Sequence, residues 1–168
     1  MLFRSLEILI FLSKEINSTA FKALASVGFF RGFKDRVSRN RALYEYEIYK
    51  GLTKAEKAWV EENYKKKRWK TLKDCLVDLA PTKKEGGGTS RKNRSDLVMN
   101  EIFFLDNPPY DLSDDPSWVI EQEVKFLGCP VSMSRVESSD TSSANSSCKE
   151  IIDGKVGKNL SIAANITR

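Results

Sequence analysis

Residues 18–32 read STAFKALASVGFFRG, and this stretch decides the fold that the sequence predicts. Phe21, Leu24 and Ala25 recur at helical spacing, and Gly28 is the residue type that most readily ends a helix in the left-handed conformation. Arginines follow the glycine in a second predicted helix. The stretch therefore predicts two helices joined by a glycine-containing turn, which is a helix-hairpin-helix arrangement.

The predicted hairpin has the chemistry of a phosphate site. Its turn would expose backbone N–H groups, and the next helix start would add about half a positive charge. The candidate site residues are Lys22, Gly28, Arg31, Lys34, Arg36, Arg39 and Arg41. We expect them to grip the backbone of duplex DNA without reading its sequence. The alternative is that the glycine is only a helix stop and that the arginines form a solvated face.

Capping signals place further helices on both sides of the hairpin. Asn17 or Ser18 can cap the first helix of the hairpin, and residues 53–56, TKAE, form a capping-box pattern. Further helix starts are predicted at Ser38, Thr71 and Ser117. The predicted helices cover about residues 3–13, 19–27, 39–50, 54–67, 72–79 and 118–127. The apolar residues 97–105 fit a short strand or a helix equally well.

A basic run with an aromatic residue inside it, KKKRWK, occupies residues 65–70. Lys66, Lys67 and Arg68 are further candidates for contact with a DNA backbone, and Trp69 could stack on a base. The alternative is a solvated helix end, because lysine and arginine near a helix C-terminus are favoured by the helix dipole alone.

Charge divides the 168-residue chain into two parts. The net charge is +5, but residues 1–95 carry 22 basic and 11 acidic side chains, a net of +11, and residues 96–168 carry 6 and 12, a net of −6. Such asymmetry often marks a segment that faces nucleic acid. The predicted organisation is a basic helical domain (1–81), a flexible basic linker (82–96), an acidic connector with one helix (97–136), a flexible Ser-rich segment (137–149) and a terminal segment (150–168).

Several classes of function are excluded by composition. The chain has no histidine, which excludes Ser-His-Asp and Cys-His nucleophiles and His-rich zinc sites. Cys75, Cys129 and Cys148 are too widely spaced for a metal knuckle and indicate reduced intracellular thiols. No apolar stretch reaches the length of a membrane span. We therefore expect no catalytic residue, cofactor, metal or membrane partner in this chain.

The end of the chain alternates in polarity with a period of two. Leu160, Ile162, Ala164 and Ile166 share one face, which predicts a half-buried strand. A lone strand leaves both of its edges unpaired and is not stable by itself. It must pair either with residues 97–105 or with a sheet on another polypeptide. The predicted fold class is therefore mainly α, with one C-terminal strand.

The order of these pieces resembles part of the bacterial and phage DNA polymerase III alpha subunit, the family C replicative polymerase. The resemblance covers about residues 1–58 and 117–168. Its motifs are FRSLE (3–7), INSTAFKALASVGFF (16–30), RNRAL (39–43), EQEVKFLGCPVS (121–132, with Trp118) and DGKVGKNLSIAANI (153–166).

The resemblance implies a fragment that runs from the helix-hairpin-helix region to the first strand of an OB-fold, a single-strand-binding barrel. The family's catalytic aspartates lie upstream, so the chain would grip duplex DNA behind the active site without synthesising it. Its partners would be duplex DNA and the remainder of the polymerase, in a bacterial or phage-infected cytoplasm. The alternative is a stand-alone basic protein that binds nucleic acid or bridges DNA to a protein partner.

Overall fold

A computed structural model describes residues 5–32, 37–133, 136, 140–154 and 159–164. The chain divides into two compact units, Met1–Asp114 and Asp115–Arg168. The described residues are mainly helical, as predicted. The boundary between the units lies at residues 114 and 115, whereas the sequence predicted the end of the basic domain at residue 81.

The first unit begins with the hairpin and the helix before it. Helix α1 runs through Ser5–Glu7, Ile8–Leu12 and Ser13–Glu15, with π-type hydrogen bonding in the middle stretch. Helix α2 is Ser18–Ser26, and its start is capped by Asn17, whose Oδ1 accepts a 2.8 Å hydrogen bond from the amide of Ala20. A single 3₁₀ turn, Phe29–Gly32, follows α2.

Among the described residues, four more α-helices follow in the first unit, and three of them begin at the predicted caps. They are α3 (Arg39–Lys50), α4 (Lys54–Lys67), α5 (Leu72–Leu79) and α6 (Lys92–Asp106). Ser38 caps α3, while Thr53 and Thr71 each open a helix with a full capping box. Residues 97–105 are therefore helical, which settles the alternative that periodicity left open.

One hydrophobic core joins α1 to α6. It runs from Leu6 to Leu105, with Val60 and Leu76 fully buried near its middle. The hairpin contributes Phe21, whose ring stacks on Tyr46 of α3 at a centroid distance of 4.0 Å. This shared core makes residues of both the basic and the acidic half part of one packed unit.

The glycine-rich stretch predicted as a flexible linker contains a packed turn. Thr82 and Glu85 form a capping box around a 3₁₀ turn, Lys83–Glu85, and Thr89 is fully buried. The amide of Gly88 donates to the carbonyl of Leu79 at 3.0 Å. Where the sequence predicted a flexible linker over residues 82–96, the structure thus has a packed turn at residues 82–89, because small residues allow the backbone itself to fill the space.

The second unit contains helix α7, Pro116–Leu127, and the short helix α8, Cys148–Ile152. Asp115 rather than Ser117 caps α7, and its Oδ1 accepts from the amide of Trp118 at 2.9 Å. Proline occupies the first helical position, where its missing N–H costs nothing.

The predicted C-terminal strand is not formed in the part of the chain that the structure describes. Residues 159–164 have no regular secondary structure, and Leu160 and Ile162 are 37% and 48% exposed. Ser161 instead pairs with Asn145, whose Oδ1 accepts a hydrogen bond from the Ser161 amide at 2.9 Å. Alternating polarity specifies a strand only where one face is buried, and here neither face is. Ile166 lies outside the described residues.

Candidate nucleic-acid interface

The turn of the hairpin has the predicted backbone conformation. Gly28 has φ +79°, in the left-handed region that favours glycine. However, three of the amides around it are used internally. Val27 donates to Ala23, Gly28 donates to Ala25, and the amide of Arg31 donates back to the Gly28 carbonyl, each at 3.0–3.1 Å. These three N–H groups are therefore not available to a phosphate.

Arg39 was predicted to lie at the surface, and the structure gives it a different role. Its side chain is only 2% exposed, and Nη1 donates to the carbonyl of Ser26 at 3.0 Å. A β-carbon on Gly28 would lie 2.9 Å from Nε of Arg39, so the guanidinium passes directly beneath the turn. A cation near the C-terminus of α2 is favoured by the helix dipole. Arg39 thus holds the hairpin together from inside.

The N-terminus of α3, the other predicted anion site, is occupied by the chain itself. Oδ1 of Asp114 accepts from the amide of Asn40 at 3.2 Å, and Oγ of Ser38 accepts from the amide of Arg41 at 3.1 Å. Ser38 in turn donates to the carbonyl of Leu112 at 2.7 Å. An acidic residue from the negative half therefore fills the position that we expected a phosphate to take.

Of the other hairpin cations that the structure describes, two are paired and one is exposed. Nε of Arg41 lies 2.7 Å from Glu45, and its Nη1 donates to the carbonyl of Leu105 at 3.3 Å. Nζ of Lys22 lies 2.6 Å from Glu47, and this hydrogen bond raises the pKa of Lys22 above its usual value. Arg31 is exposed. The two remaining candidates, Lys34 and Arg36, lie outside the described residues.

A second basic surface is formed by residues 65–70, which we call the basic segment. It comprises the last turn of α4 and the residues after it, with Arg68 in the left-handed conformation at φ 54°. Two of its cations make long ion pairs, Lys66 with Glu62 and Lys67 with Asp78, each at 3.6 Å. Within the described residues, Lys65 and Arg68 form no ion pair.

Trp69 is part of the core and not a platform for a base. It is 5% exposed, its Nε1 donates to Oδ2 of Asp78 at 2.8 Å, and its ring centroid lies 5.8 Å from that of Trp59. The proposed stacking role is therefore not supported by the geometry. Burial of the indole instead fixes the backbone from which the flanking cations project.

The glycine-rich turn lies beside the basic segment. A β-carbon on Gly88 would come within 2.8 Å of the ring of Trp59, the residue that also packs on Trp69. The turn carries three exposed cations that lie outside the site predicted from the sequence: Lys83, Lys84 and Arg91. The signal that could have identified them is the capping box of residues 82–85, which predicts a folded turn.

Comparisons with known proteins identify no relative. No family model, no curated protein and no solved structure matches this chain. Among the described residues, no helix has both the length and the apolar character needed to cross a membrane. In the same residues, no group of three or more Cys, Asp or Glu side chains comes together as metal ligands would.

Proposed function

We propose that this chain is a non-catalytic DNA-binding segment that grips the phosphate backbone of duplex DNA, with the basic segment as its principal contact. The observation that carries the proposal is the exposure of Lys65, Lys66, Lys67 and Arg68 on one rigidly anchored helix end. Lys83, Lys84 and Arg91 of the neighbouring turn are exposed as well. Contacts of this kind fix position on DNA without carrying sequence information.

The weak internal pairing of these cations supports the proposal. The ion pairs of Lys66 and Lys67 are 3.6 Å long, and their four side chains are between 38% and 72% exposed. Exposed pairs of this kind contribute about 0–1 kcal/mol, so a polyanion can displace them. In the hairpin, by contrast, Arg39 and Arg41 donate to backbone carbonyls inside the fold.

The test is binding of the full chain to labelled duplexes of unrelated sequence, followed by fluorescence anisotropy over a range of salt concentrations. The variant K65Q/K66Q/K67Q/R68Q should lose about tenfold or more in affinity for every sequence and show a salt slope lower by about 3. A control, K14Q/K22Q/K50Q/K54Q, removes the same charge outside the basic segment and should retain most of the binding. Equal losses in the two variants would contradict the proposal.

We further propose that the chain acts within a replicative polymerase of the family C type, on the strength of the motifs in residues 1–58 and 117–168. Co-expression with a palm-containing polymerase polypeptide from the same genome should give a complex that survives gel filtration. Failure to associate would leave DNA binding intact and remove the polymerase assignment.

A stand-alone nucleic-acid-binding protein is the second candidate. The observation that favours it is the single core that joins α1 to α6, since such a unit has its own interior. Limited proteolysis followed by mass spectrometry distinguishes the candidates. A protected fragment of about residues 5–114 in the isolated chain would favour the stand-alone protein, whereas cleavage throughout that unit would favour dependence on a partner chain.

A further inference from the structure

We infer that Asp78 is a fixed internal counter-ion of the basic segment, which lowers the affinity of that segment for a phosphate backbone. The inference rests on the proposed function. Oδ2 of Asp78 accepts the indole N–H of Trp69 at 2.8 Å and lies 3.6 Å from Nζ of Lys67. One carboxylate oxygen thus serves an anchoring contact and a surface cation at once.

The anchoring contact distinguishes this carboxylate from other nearby acids. Trp69 is 5% exposed and packs against Trp59, so its indole N–H cannot move away without opening the core. Asp78 is held in place by that bond. Glu62 also pairs with a lysine of the segment, but its side chain is 72% exposed. Glu62 therefore rotates into solvent at little cost, whereas Asp78 stays beside the segment.

A fixed carboxylate competes with DNA for Lys67. When a phosphate approaches, it must replace the contact with Asp78, and the negative charge of Asp78 then remains close to the phosphate. Because the pair is partly exposed, its contribution is small, and the competition lowers affinity without abolishing it. The basic segment therefore binds DNA with lower affinity, and with a smaller dependence on salt concentration, than four cations without a fixed carboxylate beside them would.

The direct test is Asp78→Asn, which removes the charge but keeps an oxygen that accepts the Trp69 N–H. Duplex affinity at low salt should rise about two- to fivefold, and the salt slope should steepen by up to about 0.9. The matched control is Glu47→Gln, which removes one charge from the pair with Lys22 and should change affinity less. Equal effects of the two substitutions would overturn the inference.

A double-mutant cycle identifies the partner. In a Lys67→Gln background, Asp78→Asn should raise duplex affinity much less than it does in the wild-type chain, because the cation for which Asp78 competes is absent. An undiminished gain would overturn the inference. A separate comparison does not depend on the folding of any Asp78 variant. Lys65→Gln should cost more affinity than Lys67→Gln, and the reverse order would contradict the account.

The outcomes also separate this inference from the proposed function. If the wild-type chain does not bind duplex DNA at all, the proposed function fails. If it binds DNA through the basic segment but Asp78→Asn does not strengthen binding, only the role of Asp78 fails.

Discussion

The hairpin and the basic segment are built from the same residue types and use them differently. In the hairpin, Arg39 lies under the turn and donates to the carbonyl of Ser26, and Arg41 reaches the carbonyl of Leu105. In the basic segment, the buried member is Trp69, and the cations around it remain exposed. A basic run therefore leaves cations exposed at the surface only where other groups satisfy the fold's own polar atoms.

The acidic half explains part of this difference. Asp114 occupies the N-terminus of α3 and Asp106 pairs with Lys73 at 2.8 Å, so both act within the first unit. The charge asymmetry read from the sequence is thus partly cancelled inside the fold. In the part of the first unit that the structure describes, no acidic residue of positions 96–114 forms an ion pair with residues 65–70, whose ion-pair partners are Glu62 and Asp78.

The largest loss of stability is expected for substitution of the buried Arg39, compared with the exposed Arg31 of the same hairpin. Arg39→Ala should lower the free energy of unfolding by about 3 kcal/mol, because the Ser26 carbonyl loses its donor and the space under Gly28 is left empty. The measurement is urea denaturation followed by circular dichroism. Arg31→Ala, in the same hairpin, is the control and should cost less than about 0.5 kcal/mol. Similar costs for both would break the comparison.

A second prediction concerns the ion pair that joins α4 to α6. Arg94 donates to both carboxylate oxygens of Glu56 at 2.7 Å, and Glu56 also closes the capping box with Thr53. Burial alone would raise the pKa of Glu56, but the hydrogen bonds from Arg94 and Thr53 outweigh it, so its pKa lies below the usual 4.5. The native state therefore favours the ionised carboxylate.

The sign of the pH dependence follows from this lowered pKa. The stabilisation by Glu56 is fully present above its unfolded pKa and is lost as the pH falls through the folded value. Glu56→Gln should cost about 2 kcal/mol at pH 7 and make unfolding less sensitive to acid below about pH 4.5. Denaturation at several pH values measures this. An unaltered acid profile for Glu56→Gln would contradict the assignment.

The third prediction tests whether Trp69 belongs to the core or to the interface. Trp69→Phe should cost about 1 kcal/mol of stability through loss of the hydrogen bond to Asp78. Affinity for single-stranded DNA should change less than about twofold, whereas loss of a stacked base would cost about 1–3 kcal/mol of binding. Anisotropy with labelled single strands decides between these outcomes, and a large loss of affinity would indicate that Trp69 stacks on a base.

The smallest effect on stability is expected from the hydroxyl of Tyr49, a residue of α3. The hydroxyl of Tyr49 is buried and finds no hydrogen-bond partner among the described residues. Tyr49→Phe should therefore leave the free energy of unfolding within about 0.5 kcal/mol of the wild type, or raise it. Tyr46→Phe removes a tyrosine hydroxyl from the same helix and serves as the control variant. A clear loss for Tyr49→Phe in urea denaturation would show that the hydroxyl has a partner.

The capped helices were predictable because their signals are local. Asn17, Ser38, Thr53 and Thr71 each cap the helix that their position indicates, and Gly28 ends α2 as expected. These contacts join residues three or four positions apart, so the sequence contains both partners in one window.

The tertiary partners were not predictable from such windows. Arg39 and Ser26 are 13 residues apart, and Asn40 and Asp114 are 74 apart. The three glycines of the turn indicated flexibility, yet a β-carbon on Gly87 would lie 1.9 Å from the carbonyl oxygen of Pro81. Glycine is required here because two backbone segments approach each other closely. Composition alone does not distinguish such a close approach from a flexible linker.

The most direct test of the account compares two double variants that each remove two positive charges, K66Q/R68Q in the basic segment and K22Q/R31Q in the hairpin. The measurement is the dependence of duplex affinity on salt concentration. We predict that K66Q/R68Q lowers the slope by about 1.8 and that K22Q/R31Q leaves it unchanged. A slope lowered by the hairpin variant alone would place the phosphate grip in the hairpin and contradict the account.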